Sequence, residues 1–209
     1  MLVKTVPVQG IIETNAYFYI DEQTKHGFLI DAGAEADKLL KIIADNNWII
    51  EKILITHGHF DHIGAIEKIG KTLNIPYLAH RNAKKYLTDP FYNISSFFGS
   101  DIVLNNAEYF ENGTEITLKA APQTKLEVIH TPGHTQDGVI YYDAANSLAF
   151  VGDTIFKQGM GRTDIPGGDY AQLIHSIRNN IFTLPNNTIL YSGHSAPTTV
   201  QAEKDGTDF

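Results

Sequence analysis

Four side chains of kinds that bind metal ions fall within six residues of this chain. They are His57, His59, Asp61 and His62. The segment follows Lys52–Ile55, a short stretch of β-strand type. Because His57 and His59 are two residues apart, an extended backbone points both imidazoles to the same side. So many polar side chains at the end of a buried strand predict a metal or catalytic site there.

Three more side chains of ligand type each come shortly after a predicted strand and directly after a glycine. They are His134, Asp153 and His194. Strand ends along one edge of a sheet converge, and glycine permits tight turns there. Five His and two Asp would hold two ions, with one Asp bridging them. Imidazole and carboxylate without thiolate suit Zn²⁺, Fe²⁺ or Mn²⁺.

Composition excludes several other kinds of protein. The chain has no cysteine, so it has no disulfide and no thiolate nucleophile. Its net charge of −8 argues against a nucleic-acid partner bound by bulk electrostatics. No signal-peptide pattern and no apolar run of about 20 residues occurs, so we expect a cytoplasmic protein without a membrane partner. The other histidines lack the strand-end context and are predicted to be surface or packing residues: His26, His80, His130 and His175.

Predicted strands and helices alternate in two similar halves. The predicted strands are Val3–Val8, Ala16–Ile20, Gly27–Ile30, Lys52–Ile55, Tyr77–Ala79, Glu115–Leu118, Leu126–His130, Val139–Tyr142, Leu148–Val151 and Thr188–Tyr191. The predicted helices are Asp37–Asn46, Asp61–Leu73, about Asn82–Leu87, and Tyr170–Ile181. This order favours an α/β protein with two packed sheets and helices outside, as one domain over residues 1–209.

Two segments are less regular. Thr88–Asn112 is rich in aromatic and turn residues, which favours a loop packed on the core, with a lid over the site as the alternative. Gln201–Phe209 is polar, and we expect it to be loosely held. Asp31 ends a predicted strand, where it could orient a ligand histidine through the second ring nitrogen. The alternative is a turn Asp before Gly33.

With Thr56–His62, His134, Asp153 and His194 in this order, the chain resembles the metallo-β-lactamase superfamily, from about Gly10 to Lys204. Asp31 matches that superfamily's first motif. Within it, the chain is most similar to the glyoxalase II-like (hydroxyacylglutathione hydrolase-like) group. That similarity rests on Gly152–Phe156, Gly161–Asp169 and Gly193–Thr199. The resemblance implies a four-layer αββα sandwich with a metal site at one edge of the two sheets.

The resemblance also implies roles for the ligand-type residues. His57, His59 and His134 would bind one ion. Asp61, His62 and His194 would bind the second, with Asp153 between them. Asp61 and Asp153, with a water held by both ions, would be the catalytic groups. Two divalent ions are expected, with Zn²⁺ favoured and Fe or Mn as alternatives.

The implied activity is hydrolysis of a small acyl-thioester, S-lactoylglutathione by resemblance. The alternatives are a mononuclear iron persulfide dioxygenase and a non-catalytic binding module. The common zinc β-lactamases carry Cys where Asp153 stands, so β-lactam hydrolysis is not expected. The chain ends about ten residues after Thr199 and lacks the helical domain of glyoxalase II, so we expect a short, single-domain form.

Substrate contacts are less defined by the sequence. Arg162 could bind a substrate carboxylate with two parallel hydrogen bonds. The alternative, which we favour, is that Arg162 is tied to Asp164 or Asp169 within its own loop. Lys157, Tyr92 and Tyr170 are further candidates for substrate contact.

Overall fold

The computed structural model describes all 209 residues. Its strands are β1 Leu2–Gln9, β2 Glu13–Ile20, β3 His26–Ile30, β4 Ile49–Leu54, β5 Tyr77–His80, β6 Glu108–Phe110, β7 Glu115–Thr117, β8 Lys125–His130, β9 Val139–Asp143, β10 Leu148–Gly152, β11 Ile155–Phe156, β12 Gly159–Met160, β13 Ile189–Ser192 and β14 Thr198–Thr199. The helices are α1 Ala36–Asp45, α2 Phe60–Ile63, α3 Ile66–Leu73, α4 Lys84–Thr88, α5 Tyr170–Ser176 and α6 Val200–Gly206. Short 3₁₀ helices occur at Arg81–Ala83 and Ser95–Phe98, and a π-helical turn at Ile177–Ile181 follows α5.

The strands form two six-stranded sheets and one separate hairpin. The first sheet has the order β1-β2-β3-β4-β5-β6, and the second has the order β14-β13-β10-β9-β8-β7. From β3 to β6 the first sheet is parallel, and β10 pairs in parallel with β13 in the second sheet. Parallel neighbours need crossover connections, which include α1, α3 and α5. The hairpin β11-β12 stands apart from both sheets.

Three apolar cores separate four layers. In β2, Phe18 faces the helices, while Tyr17 and Tyr19 face the other sheet, because successive strand residues point to opposite faces. The first core packs α1 and α3 on the first sheet, through residues such as Leu39, Ile66 and Ile69. The second joins the sheets and includes Phe28, Val128, Tyr141 and Phe150. The third packs Leu173, Ile177 and Val200 on the second sheet. The α/β class and the helix–sheet–sheet–helix arrangement are thus confirmed.

Some predicted element bounds were wrong. The single helix predicted over Asp61–Leu73 is two helices, interrupted at Gly64 and Ala65, where the N–H of Ala65 donates to the carbonyl oxygen of Ala32 at 2.9 Å. This contact ties the start of α3 to the loop after β3. The irregular segment 88–112 contains β6, which pairs with β5.

The prediction for the last nine residues also needs correction. Gln201–Phe209 contains most of α6, which begins at a Thr199 cap whose hydroxyl accepts from the N–H of Ala202. Glu203 is buried there and accepts hydrogen bonds from Thr198 and from the N–H of Gln158. A polar segment is therefore held in place, because its buried carboxylate accepts hydrogen bonds from two other segments of the chain. None of the helices is both long and apolar enough to cross a bilayer.

Candidate metal centre and active site

The seven predicted ligands meet at one edge of the two sheets, each just beyond a strand. His57, His59, Asp61 and His62 follow β4, His134 follows β8, Asp153 follows β10 and His194 follows β13. Gly152 adopts a left-handed conformation with φ of 49°. Its carbonyl oxygen accepts from the N–H of Gly193 at 2.9 Å, which joins the ends of β10 and β13. Backbone contacts therefore bring Asp153 and His194 together.

Three nitrogen atoms converge in the first group. Nδ1 of His59 lies 3.0 Å from Nε2 of His57 and 3.0 Å from Nε2 of His134. Burial, with the neighbouring histidines, lowers the pKa of His57 and His59, and burial also lowers the pKa of His134. All three rings are therefore neutral, the form that binds metal. A single proton could be shared by only two of these three nitrogen atoms, whereas one metal ion could be bound by all three.

The second group contains Asp61, His62 and His194. Oδ2 of Asp61 lies 3.2 Å from Nε2 of His194 and 3.6 Å from Nε2 of His62. The Thr14 hydroxyl donates to the same Oδ2 at 2.8 Å, which orients the carboxylate. These three side chains are close enough to hold one ion together.

Asp153 lies between the two groups. Its Oδ1 is 3.4 Å from Nε2 of His62, and its Oδ2 is 3.2 Å from Nε2 of His194 and 3.6 Å from Nε2 of His134. The carboxylate therefore faces ligands of both groups.

Most of the rings are oriented through the nitrogen that faces away from the centre. Nδ1 of His134 donates to the Arg162 carbonyl oxygen at 2.7 Å, and Nδ1 of His194 donates to that of Glu13 at 2.8 Å. Nδ1 of His62 lies 2.9 Å from Oδ2 of Asp31. Such contacts set the tautomer and direction of metal-binding histidines. Asp31 is thus placed where its proposed orienting role requires.

The charges of this cluster favour cations. Burial opposes ionisation of Asp61, but His62 and His194 lower its pKa to about 2. Burial opposes protonation of His194 as well, yet Asp153 and Asp61 raise its pKa to about 10. Nε2 of His62 and Oδ1 of Asp153 are buried and have no hydrogen-bond partner. These unpartnered buried atoms, the neutral imidazoles of the first group and the carboxylates together fit divalent metal ions.

One buried carboxylate near the cluster was not singled out from the sequence. Oδ2 of Asp137 accepts from the N–H of Gly58 at 2.8 Å, between His57 and His59. Burial raises the pKa of Asp137 to about 6. Sequence spacing places Asp137 three residues beyond His134 but does not show that it reaches the segment after β4.

A cavity of about 540 Å³ opens over the cluster. It is lined by Ile12, His59, Asp61, Ile94, Phe97, Phe98, His134, Asp153, Phe156, Met160, Arg162, Asp164, Ile165 and His194. Half of these residues are hydrophobic, and none of the seven was predicted from the sequence to contact a substrate. Three of them, Ile94, Phe97 and Phe98, lie in the segment 88–112, for which a lid over the site was the alternative interpretation. The available signal was Phe97-Phe98 in a segment of Ser and Gly.

Among the four predicted substrate contacts, Arg162 lines the cavity, and it makes two hydrogen bonds to Asp164 at 2.7 and 2.8 Å. Lys157, Tyr92 and Tyr170 are outside the lining. Lys157 is exposed in the turn of the hairpin, Tyr92 packs against Tyr86 and Lys85, and Tyr170 is 60% exposed at the start of α5.

The four histidines predicted to be outside the site are outside it. His26 pairs with Glu51, His80 stacks on His130, and His175 lies on α5. None of the four belongs to a group that could hold a metal ion.

Comparison with known proteins agrees with this geometry. The family model described as "Metallo-beta-lactamase superfamily" matches residues 10–194. The chain is 36% identical to "Probable metallo-hydrolase YqgX" of Bacillus subtilis, covering 99% of this chain and 96% of that protein. It is 30% identical to "Hydroxyacylglutathione hydrolase GloC" of Haemophilus influenzae, covering 100% of this chain and 98% of that protein.

Solved structures give the same result. A structure described as BLEG-1 B3 metallo-beta-lactamase is 36% identical, with a TM-score of 0.93 over 100% of this chain and 99% of that one. TTHA1623 in a di-iron-bound form is 30% identical, with a TM-score of 0.84 over 98% and 99%. ETHE1 from Myxococcus xanthus is 25% identical, with a TM-score of 0.78 over 100% and 84%. Together with the His and Asp cluster at the sheet edge, these matches show that the chain belongs to the metallo-β-lactamase superfamily.

Proposed function

We propose that this protein is a hydrolase of small acyl-thioesters that works with two divalent metal ions. The observation that carries the proposal is Asp153, whose carboxylate faces His134 of one ligand group and both His62 and His194 of the other. Zn²⁺ is the proposed metal, with Fe and Mn as alternatives, because the donors are imidazole and carboxylate without thiolate.

The ligand assignment follows the two groups. His57, His59 and His134 would hold the first ion, and Asp61, His62 and His194 the second, with Asp153 shared. When bound, such ions acidify a water molecule and polarise a carbonyl group. Asp31, Thr14 and the carbonyl oxygens of Glu13 and Arg162 keep the ligands in place.

A thioester suits this site because its leaving thiol needs no proton. A thiol with a pKa near 8.5 departs as thiolate, whereas an amine requires an acid. Apart from the ligands, the only acidic side chain lining the cavity is Asp164. Arg162 lowers the pKa of Asp164 to about 2, so its carboxylate is ionised and cannot protonate a leaving group at neutral pH.

Similarity supports a first candidate within this class of substrate. The 30% identity to GloC and the resemblance of the segments Gly161–Asp169 and Gly193–Thr199 both favour hydroxyacylglutathione, with S-lactoylglutathione as the compound to assay first. We propose a cytoplasmic protein, formed by one domain over residues 1–209, with this small molecule and no nucleic acid or membrane as partner.

The test is to compare His59→Ala with His175→Ala, an exposed histidine on α5 that serves as the matched control. The purified variants are loaded with metal, and metal content and thioester hydrolysis are measured. We expect His59→Ala to lose at least one metal equivalent and thioester hydrolysis, whereas His175→Ala keeps both. Activity and metal content that survive in His59→Ala would show that the site assignment is wrong.

A second candidate is a mononuclear iron persulfide dioxygenase, which would use two His and one Asp of the same cluster. The similarity to ETHE1 favours testing it, and the di-iron-bound form of TTHA1623 favours including iron among the metals tested. One iron per chain and oxygen uptake with glutathione persulfide would support the dioxygenase. Because BLEG-1 is described as a lactamase, a chromogenic β-lactam belongs in the same assay panel.

A further inference from the structure

The cavity over the cluster of proposed metal ligands, called the metal cluster below, has two apolar walls. One wall consists of Ile12, from the turn between β1 and β2, and of Ile94, Phe97 and Phe98 from the segment that follows α4. Phe97 is 57% exposed and Phe98 is 46% exposed, although aromatic rings of this size usually bury most of their surface. An exposed apolar surface at the mouth of a cavity is typical of a binding site.

The second wall consists of Phe156 and Met160 of the β11-β12 hairpin and of Ile165. It reaches the metal cluster, because the Phe156 ring centroid lies 5.9 Å from that of His194. The first wall also lies near the metal cluster, since the ring centroid of Phe98 is 5.1 Å from that of Phe60, the residue before Asp61. A group bound between the walls would therefore lie beside the reacting atoms.

The cavity offers no free cation to a substrate carboxylate. Arg162 is the only Lys or Arg in its lining, and its Nε and Nη2 already donate to Asp164, which neutralises its charge and leaves only the Nη1 side for a substrate carboxylate. The net charge of −8 adds long-range repulsion of anions. Glutathione carries two carboxylates, so its thioesters match this lining poorly outside the metal cluster.

We infer that the preferred substrates are uncharged acyl-thioesters that carry an aryl or branched alkyl group, which packs between Phe97, Phe98 and Ile165. This inference rests on the proposed thioester hydrolase function and names the class of thioester. The bound ions would polarise the carbonyl group of the thioester, and the apolar walls select the groups attached to it. Glutathione thioesters would be turned over, but less efficiently.

The experiment uses four thioesters and the metal-loaded full chain. Phenylacetyl and lactoyl groups are each joined to N-acetylcysteamine, which is uncharged, and to glutathione, and the released thiol is measured with a colorimetric reagent. We expect kcat/KM for phenylacetyl-N-acetylcysteamine to exceed that for S-lactoylglutathione by about 10-fold or more, as apolar pockets discriminate by that order.

The Phe97→Ala variant tests the wall itself. It should raise KM for the phenylacetyl substrates about 3-fold to 10-fold with kcat unchanged, because the ring binds ground state and transition state alike. Phe97→Leu should restore most of the loss, and Tyr109→Ala, an aromatic 45% exposed on β6, is the matched control. Binding of the thioether analogue of the phenylacetyl substrate, measured by calorimetry, should weaken in parallel in Phe97→Ala.

The possible failures are distinguishable. A preference for S-lactoylglutathione, or equal kcat/KM for all four compounds, would overturn the inference and leave the hydrolase function standing. Absence of turnover for all four would contradict the hydrolase function. In that case, equal affinity of wild type and Phe97→Ala for the thioether would also overturn the apolar binding site.

Discussion

Oδ2 of Asp31 lies 2.9 Å from Nδ1 of His62, and both side chains are fully buried or nearly so. The same carboxylate accepts from the N–H of Thr56 at 2.8 Å and from its hydroxyl at 2.6 Å. Asp31 therefore joins the end of β3 to the segment that carries four of the proposed ligands.

Asp31→Asn should weaken metal binding by about 10-fold to 100-fold, as losses of groups behind metal-binding histidines do. Asn tolerates the left-handed backbone at this position, where φ is 53°, so the fold should persist. Competition with a chromophoric chelator measures the affinity, and circular dichroism checks the fold. An unchanged affinity in a folded variant would show that Asp31 does not orient His62.

Asp164→Asn should free the Arg162 guanidinium. Residue 164 then no longer competes with a substrate carboxylate for Arg162. KM for S-lactoylglutathione should fall about 3-fold, which is within the range of free energies measured for exposed ion pairs. KM for an uncharged thioester should stay the same. The double variant Arg162→Gln with Asp164→Asn should return KM to the wild-type value; if it does not, Arg162 is not the group responsible.

Gly33→Ala should be strongly destabilising, because a Cβ atom at residue 33 would overlap the carbonyl oxygen of Asp61. The carbonyl oxygen belongs to the backbone and the Cβ atom is bonded directly to it, so only a shift of α2 could relieve the overlap. We expect the free energy of unfolding to fall by about 3 kcal/mol. Gly206→Ala is the control, since no atom lies within 4 Å of its added Cβ. Urea denaturation compares them, and equal midpoints would contradict the contact.

His80 should make stability depend on pH. Burial, with the neighbouring His130 and Arg81, lowers the pKa of His80 to about 4. Between pH 6.5 and 4 the unfolded chain therefore binds more protons than the folded one. Stability is full above pH 6.5 and is lost as the pH falls. Asn at this position keeps an acceptor for the N–H of Asn82 and does not titrate.

The measurement is urea denaturation of wild type and His80→Asn at pH 7 and pH 5, with equal metal content. Wild type should lose about 2 kcal/mol more than the variant over this interval. Loss of metal at the lower pH affects both proteins and cancels in the comparison. A parallel decline of the two proteins would show that His80 is protonated equally in the folded and unfolded states.

Much of the fold followed from periodicity. The apolar spacing in α1, α3 and α5 and the apolar runs of β3, β9 and β10 are local signals. The bounds of α1 and of these three strands lie close to those predicted, whereas α3 begins at Ile66 rather than at Asp61, and α5 passes into the π-helical turn at Ile177. The break at Gly64 was not predictable, because the cause is a contact with the loop after β3. Helix α6, which occupies most of the last nine residues, was not predictable either, because Glu203 holds it in place by accepting hydrogen bonds from Gln158 and Thr198.

Residue types and their spacing were enough to identify the seven ligand candidates. Four of them fall within six residues after a predicted strand, the other three each follow a glycine after a strand, and metal-binding chemistry depends on the side chain itself. The surroundings of that cluster depended on how the two halves pack. Phe97 and Phe98 line the same cavity as Met160 and Ile165, which are about sixty residues away along the chain. No local periodicity relates such positions. Their meeting follows from the two sheets sharing an edge, and in our proposal it is this meeting that selects the substrate.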